Sequence, residues 1–361
     1  MTDRFKRVLE KMDKEGLEQI IVTDPIAIYY LIGKKINPGE RMLALYLNTD
    51  GDKKLVINEL FPQEGELGVD LIWYNDIEDP IDYLAKEIKD YDKIGIDKTW
   101  PSGFLLRLQE RFPDKKYVNS SLLIDEVRMI KDNEEIDLMR ESSRINDEVM
   151  DELIPWVTKG LTEKELSAKV KEIYKSHGIE DVSFEPITAY GKGGADPHHD
   201  TDDSKGKLGD SVVLDIGGFY KGYASDMTRT VFIGEVSDKA REVYEIVKEA
   251  NLRGIAAAKP GNKMSDVDKA CRDYIEEKGY GKYFTHRTGH SIGLEDHEYG
   301  DVSSVNDAII KPGQIFSVEP GIYLMDEGIG VRIEDLVIIT EDGNEVINNY
   351  TKDLIVVDID D

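Results

Sequence analysis

Two stretches of this chain repeat one another 104 residues apart, and that periodicity limits the fold more than any other feature. KLGDSVVLDIGGFY, with Gly209 and Asp215, is echoed by KPGQIFSVEPGIY, with Gly313 and Glu319. Downstream, ASDMTRTVFIGEVSD is matched by RIEDLVIITEDGN, which sets Asp226 opposite Glu334. Upstream, WVTKGLTEKELSAKVKEIYKSHGI around 156–179 is matched by AAAKPGNKMSDVDKACRDYIEEKGY around 256–280. A unit of helix, turn, capped helix and strands that occurs twice predicts two similar halves packed about a pseudo-two-fold axis. Each half then carries two carboxylates in apolar, β-branched sequence. Burying an ionised acid costs several kcal/mol unless it is paired or coordinated. Four of them brought together need strong positive charge among them, and three have no lysine or arginine nearby, so metal ions are the economical counter-charge.

The repeat occupies only part of the 361 residues, a length that predicts about two domains. From 18 to about 120 short β-rich runs (EQIIVTD, AIYYLIG, MLALYLN, KLVIN, VDLIWY, KIGID, KYVN) alternate with helical stretches near 79–91 and 101–112, the pattern of an α/β domain. This part holds no histidine and no phosphate-loop glycine fingerprint. Its one polar cluster between strands is Asn37-Pro38-Gly39-Glu40-Arg41, from which Arg41 is kept as a candidate substrate contact. Long charged helices follow. Thr162 with Glu165 forms a capping box for a helix that Gly178 ends. The domain boundary is placed at about residue 125, giving 1–125 and 126–361.

Charge and cysteine usage exclude some functions. A net charge of −28 would repel a nucleic-acid backbone. The amino terminus is too charged for a signal peptide, and no apolar run is long enough to span a membrane. The single cysteine, Cys271, allows no intrachain disulfide and falls at a core position of a helical pattern. A cytoplasmic protein is expected.

Five of the six histidines fall in two short windows: PHHD, with His198 and His199, and HRTGHSIGLEDHE, with His286, His290 and His297. His177 stands apart at a helix end. His286 and His290 are four apart, but the glycines, threonine and serine around them argue against a helix, so one is expected as a ligand and the other as its support. Two Asp, two Glu and one His form an oxygen-rich set that suits manganese, with cobalt, iron or zinc as alternatives. A pair of such ions activates water and polarises a carbonyl.

The motifs VVLDIGGFYKGYASDMTRT, THRTGHSIGLEDHE, VEPGIY and GVRIED, in this order behind a separate α/β domain, resemble the prolidase and Xaa-Pro aminopeptidase branch of the pita-bread metallopeptidases over essentially the whole chain. The resemblance implies an α+β pita-bread catalytic domain behind a smaller creatinase-type domain, and two divalent ions per subunit. Their implied ligands are Asp215, Asp226, His290, Glu319 and Glu334. It further implies that His198 stabilises the tetrahedral intermediate, His297 binds substrate near the scissile amide, Glu319 shuttles the proton and Arg332 braces the ligands. The implied substrate is a proline-containing dipeptide or short peptide, cut by a homodimer. The compact first domain favours a dipeptidase over an aminopeptidase acting on longer chains. Ser291 and Asp196 depart from the common glycine and asparagine, which bears on substrate preference. An inactive scaffold of the same fold would be expected to have lost ligands that are all present here.

Overall fold

The computed structural model of the protein describes residues 2–197 and 199–359. It separates into two compact units, one running to Arg128 and the other from Met129 onward. The first is built on a six-stranded mixed sheet in the order Asp70–Tyr74, Lys53–Asn58, Ala44–Asn48, Gln19–Val22, Lys93–Ile96, Lys116–Asn119. Gln19–Val22 and Ala44–Asn48 are buried along their whole length, as central strands covered on both faces must be. One run read as β-rich is a helix. AIYYLIG belongs to Pro25–Ile32, which starts with Asp24 capping the amides of Ile26 and Ala27, has proline at its first position, and stops at Gly33 with φ of 69°. Those end signals decide the segment, because a short continuous apolar run fits either state.

The second unit carries the repeat in its topology. The first half consists of helices Asn133–Leu153 and Glu163–Ser176, strands Ile187–Tyr190 and Ser211–Ile216, the hairpin Phe219–Tyr220/Tyr223–Ala224, and strand Met227–Ile233. The second half answers with helices Asp238–Ala257 and Met264–Glu277, strands Gly289–Ser291 and Ile315–Val318, the hairpin Gly321–Leu324/Ile329–Arg332, and strand Asp335–Ile339. Both strand sets pair antiparallel, Ser211–Ile216 with Met227–Ile233 and Ile315–Val318 with Asp335–Ile339. Each half has its own apolar core, one around Val149, Leu166, Val170 and Leu214, the other around Val247, Val267, Phe316 and Val337.

Local sequence sets the helices. Glu165 N–H donates to Thr162 Oγ1 at 3.2 Å and Thr162 N–H to Glu165 Oε2 at 2.8 Å, so the expected capping box is formed. Such a cap contributes about 1 kcal/mol. Cys271 is fully buried, and burial pushes its thiol well above the ordinary range, which makes it a core residue.

The halves are joined at the strand ends that carry the acids. Arg229, in the first half, donates to the carbonyls of Thr228, Glu334, Tyr350 and Thr351 and to Asp335 Oδ1 at 2.8 Å. Asp335 is also held by Lys352 at 2.7 Å. Removing one partner of a buried charge pair is costly because the other partner and the freed carbonyls stay buried. Arg229→Met is therefore expected to destabilise this unit by about 3–5 kcal/mol, read as a lowered midpoint of urea or thermal unfolding. A midpoint matching wild type would show that the junction does not depend on this arginine.

Candidate metal centre

A cleft of about 530 Å³ opens in the second unit, and Asp215, Asp226, His290, Glu319, Glu334, Arg332 and His297 all line it. The repeat explains the convergence. Asp215 lies near the end of Ser211–Ile216, Asp226 directly before Met227–Ile233, Glu319 directly after Ile315–Val318, and Glu334 directly before Asp335–Ile339. His290 is the middle residue of Gly289–Ser291, with its amide donating to Ser317 Oγ at 3.1 Å.

Asp226, His290 and Glu334 each offer a ligand atom within 4.8 Å of the others. His290 Nε2 lies 3.4 Å from Asp226 Oδ2 and 3.7 Å from Glu319 Oε1. Asp215 Oδ1, Asp226 Oδ1, Asp296 Oδ1 and Glu334 Oε1 are buried with no hydrogen-bond partner among the described residues. An unpartnered buried carboxylate oxygen is costly, and four of them lining one cleft are what a cation site requires. The donor set thus fits divalent ions.

The acids strain against one another. Burial drives Asp226 well above the ordinary carboxylate range, and Glu334, Asp296, Asp215 and Glu319 add to the rise. Glu334 is raised in the same way, by burial and then by Glu319 and Asp215. Burial, opposed by Arg332, pushes Glu319 up to about 7. The histidines move the other way. Burial, with His297 and Arg287 adding to it, lowers His290 to about 3, which keeps its imidazole neutral and free to act as a ligand.

Arg332 is the hub of the polar network. Its Nη2 donates to Asp215 Oδ2 at 2.5 Å, its Nη1 to Tyr323 Oη at 2.9 Å, and its Nε to Thr228 Oγ1 at 3.1 Å. The Thr228 hydroxyl in turn donates to Glu334 Oε2 at 2.7 Å, so one guanidinium steadies acids from both halves. His286 Nδ1 donates to the carbonyl of Arg287 at 2.7 Å, which leaves Nε2 to accept from Tyr323 Oη at 2.9 Å. His286 therefore stands behind Tyr323 and Arg332, while His290 joins the acids.

The outer residues divide. His297 sits at the mouth with its side chain 58% exposed. Its Nδ1 accepts from Arg287 Nη2 at 3.0 Å, and its Nε2 is 3.4 Å from Asp296 Oδ2. His198 lies outside the described residues. His199 is turned to Glu163 at 2.6 Å instead of lining the cleft. Arg41 belongs to the first unit, where it grips Asp76 through two bonds of 2.8 and 2.9 Å and Glu40 through a third of 2.9 Å. It is not among the cleft-lining residues.

Sequence reasoning passed over Thr228, Tyr323, Arg287 and Asp296. All four lie inside motifs already singled out, yet the partners of the Thr228 and Tyr323 hydroxyls leave no local signal. Asp296 adjoins His297, and an acid beside a candidate histidine was a usable hint. Burial raises it to about 7, with Asp215 and Glu319 contributing.

Comparison with known proteins places this geometry. Residues 137–341 match metallopeptidase family M24, and residues 4–130 match the creatinase/prolidase N-terminal domain. An uncharacterized peptidase of Staphylococcus aureus is 32% identical over 97% of this chain and 99% of its own length. Among solved structures, a prolidase from Thermococcus sibiricus is 35% identical with a TM-score of 0.91, covering 98% of both chains. An Xaa-Pro dipeptidase from Bacillus anthracis is 32% identical with a TM-score of 0.91, covering 99% of both chains. The chain belongs to metallopeptidase family M24, in the prolidase branch of the pita-bread peptidases.

Proposed function

We propose that the protein is a dinuclear metal-dependent exopeptidase that hydrolyses the Xaa-Pro bond of dipeptides. The observation that carries this reading is the set of four orphaned carboxylate oxygens, on Asp215, Asp226, Asp296 and Glu334, lining one cleft beside a neutral His290. The names of the Thermococcus and Bacillus structures supply the substrate class.

Asp215, Asp226, His290, Glu319 and Glu334 would hold the ions. When bound, the ions supply Lewis acidity toward the scissile carbonyl and acidify the attacking water. Glu319, lining the same cleft, can take a proton from the attacking water and return it to the prolyl nitrogen as it leaves. Arg332 keeps Asp215 and, through Thr228, Glu334 in place while charge shifts. His297 takes an N–H from Arg287 at Nδ1, so its own proton is on Nε2, which lies 3.4 Å from Asp296 Oδ2 and would turn from it to a substrate carbonyl. His198 is assigned the far side of the reacting carbonyl by resemblance. Arg41, paired at the surface of the first unit with Asp76 and Glu40, stays a candidate substrate contact.

The perturbed acids make metal binding visible in stability. Without metal, the folded chain keeps protons on Glu319 and Asp296 up to about pH 7, whereas unfolded carboxylates release theirs near pH 4. Their contribution to stability is full below about pH 4 and is lost as pH rises through about 7. His286 and His290, lowered to about 4 and 3, offset this below about pH 6.5, where unfolded histidines take up protons. Above that pH only the carboxylates act. The metal-free chain should therefore lose thermal stability between about pH 6.5 and 8.5, and the gap from the manganese-loaded chain should widen. A gap that stays constant across that range would contradict the clustered-carboxylate site.

Asp226→Asn and Glu334→Gln should each reduce hydrolysis to background with metal content lowered. Near wild-type turnover in Asp226→Asn would refute the ligand assignment. With manganese supplied, wild-type protein should cleave Ala-Pro and Met-Pro faster than Ala-Pro-Ala. Cleavage of the tripeptide alone would replace the dipeptidase reading with an Xaa-Pro aminopeptidase, and no cleavage of any would favour an inactive scaffold.

A further inference from the structure

The helix Asp238–Ala257 presents an apolar face to the core through Val243, Val247, Ala250 and Gly254, and one polar side chain interrupts it. Asn251 is fully buried. Its Nδ2 donates to the carbonyl of Val318 at 2.9 Å and to that of Ile333 at 3.4 Å. These are the residues directly before Glu319 and Glu334. Its Oδ1 has no partner among the described residues. An unsatisfied buried amide oxygen is costly, and a leucine of similar shape would avoid that cost. What leucine could not do is donate to both carbonyls.

Reach explains the neighbouring glycine. A Cβ at Gly254, one turn from Asn251 on the same face, would lie 2.4 Å from Cys271 Sγ and 2.7 Å from Val318 Cγ1. The missing side chain lets the helix settle against Val318, close enough for a short amide to span two strand ends.

The other half has a buried asparagine at the matching helix position, where it holds a single carbonyl on the other side of its acid. Asn146 stands 105 residues earlier (146 against 251), on the equivalent helix Asn133–Leu153, and is fully buried. Its Nδ2 donates to the carbonyl of Ile216, the residue directly after Asp215, at 3.0 Å. Its Oδ1 accepts from the Tyr174 hydroxyl. One turn back, the Ser142 hydroxyl approaches the carbonyls of Gly218 at 3.2 Å and Tyr223 at 3.1 Å.

We propose that Asn146 and Asn251 are repeat-related positioning residues that fix the backbone bearing Asp215, Glu319 and Glu334, and thereby set the metal affinity of the centre. Asn251 matters more, because one amide ties two ligand-bearing strand ends whose carboxylates repel each other. Released from that tether, Glu319 and Glu334 would drift apart and present the ions with a looser site. The proposal rests on the ligand assignment given above.

The experiment compares wild type, Asn251→Leu, Asn251→Ser and, as a control for core stability on the same face, Val247→Ala. Metal-free proteins are titrated with cobalt(II) by calorimetry and visible ligand-field spectroscopy, beside their unfolding midpoints. Groups that orient metal ligands typically carry about 10–100-fold in affinity. Asn251→Leu should lose that much with an altered cobalt spectrum, and Asn251→Ser somewhat less, while Val247→Ala loses stability and keeps wild-type affinity and spectrum. If Asn251→Leu does not fold, Asn251→Ser decides. Cobalt affinity within twofold of wild type and an unchanged spectrum, whatever the unfolding midpoint, would overturn the proposal and make Asn251 a core residue only. A wild-type chain that binds no cobalt would remove the ligand assignment and the proposal together.

Discussion

Repulsion among buried carboxylates is the constraint on which the rest of the second unit depends. Apart from Glu185, which pairs with Lys171, the acids that line the cleft are Asp215, Asp226, Asp296, Glu319 and Glu334, against the guanidinium groups of Arg287 and Arg332. Two positive charges cannot neutralise five ionised acids, and the raised carboxylates record the imbalance. Any fold that assembles such a site needs a framework stiff enough to hold the acids against their mutual field until cations arrive.

That framework is the duplicated strand pair. Each half delivers two acids at adjoining strand ends, and the halves are locked together at the same place. Glu334 N–H donates to the Thr228 carbonyl at 3.1 Å, and the Thr230 hydroxyl donates to the Arg332 carbonyl at 2.9 Å. Arg229 and Arg332 divide the work between them. Arg229 is buried beneath the junction and bonds mainly backbone, whereas Arg332 faces the cleft and bonds Asp215, Tyr323 and Thr228. Arginine suits both posts because its charge is permanent and its planar fork satisfies several acceptors at once.

How much of this was legible in the sequence follows from the range of each interaction. The capping box at Thr162 and Glu165, the core position of Cys271 and the two-fold recurrence of helices and strands all arise from local pattern, and local pattern is what a sequence displays. The segment Pro25–Ile32 was misread because its apolar run is ambiguous and its caps lie at the ends. The four acids could be paired from the repeat alone. The choice of His290 over His286 could not, since only the fold decides which imidazole faces the acids and which backs onto Tyr323. Tyr323, Thr228 and Asn251 were illegible for the same reason: their partners lie 9, 106 and 67 residues away.

The histidines complete the electrostatic logic. In a cleft so rich in acids, an imidazole would ordinarily be drawn toward its protonated form and would then compete with a cation instead of binding it. Here burial lowers His286 to about 4 and His290 to about 3, and positive neighbours, Arg332 for the first and Arg287 for the second, push in the same direction. His297 is lowered too, by burial and by Arg287. The arginines therefore do two things at once: they relieve part of the carboxylate repulsion, and they keep the neighbouring imidazoles neutral. A lysine at 287 or 332 could supply charge, but not the fork that lets Arg332 hold Asp215 and Tyr323 simultaneously. Charge balance and ligand protonation thus follow from burial acting together with the two guanidinium groups, which ties the cleft's affinity for cations to the geometry of its hydrogen bonds.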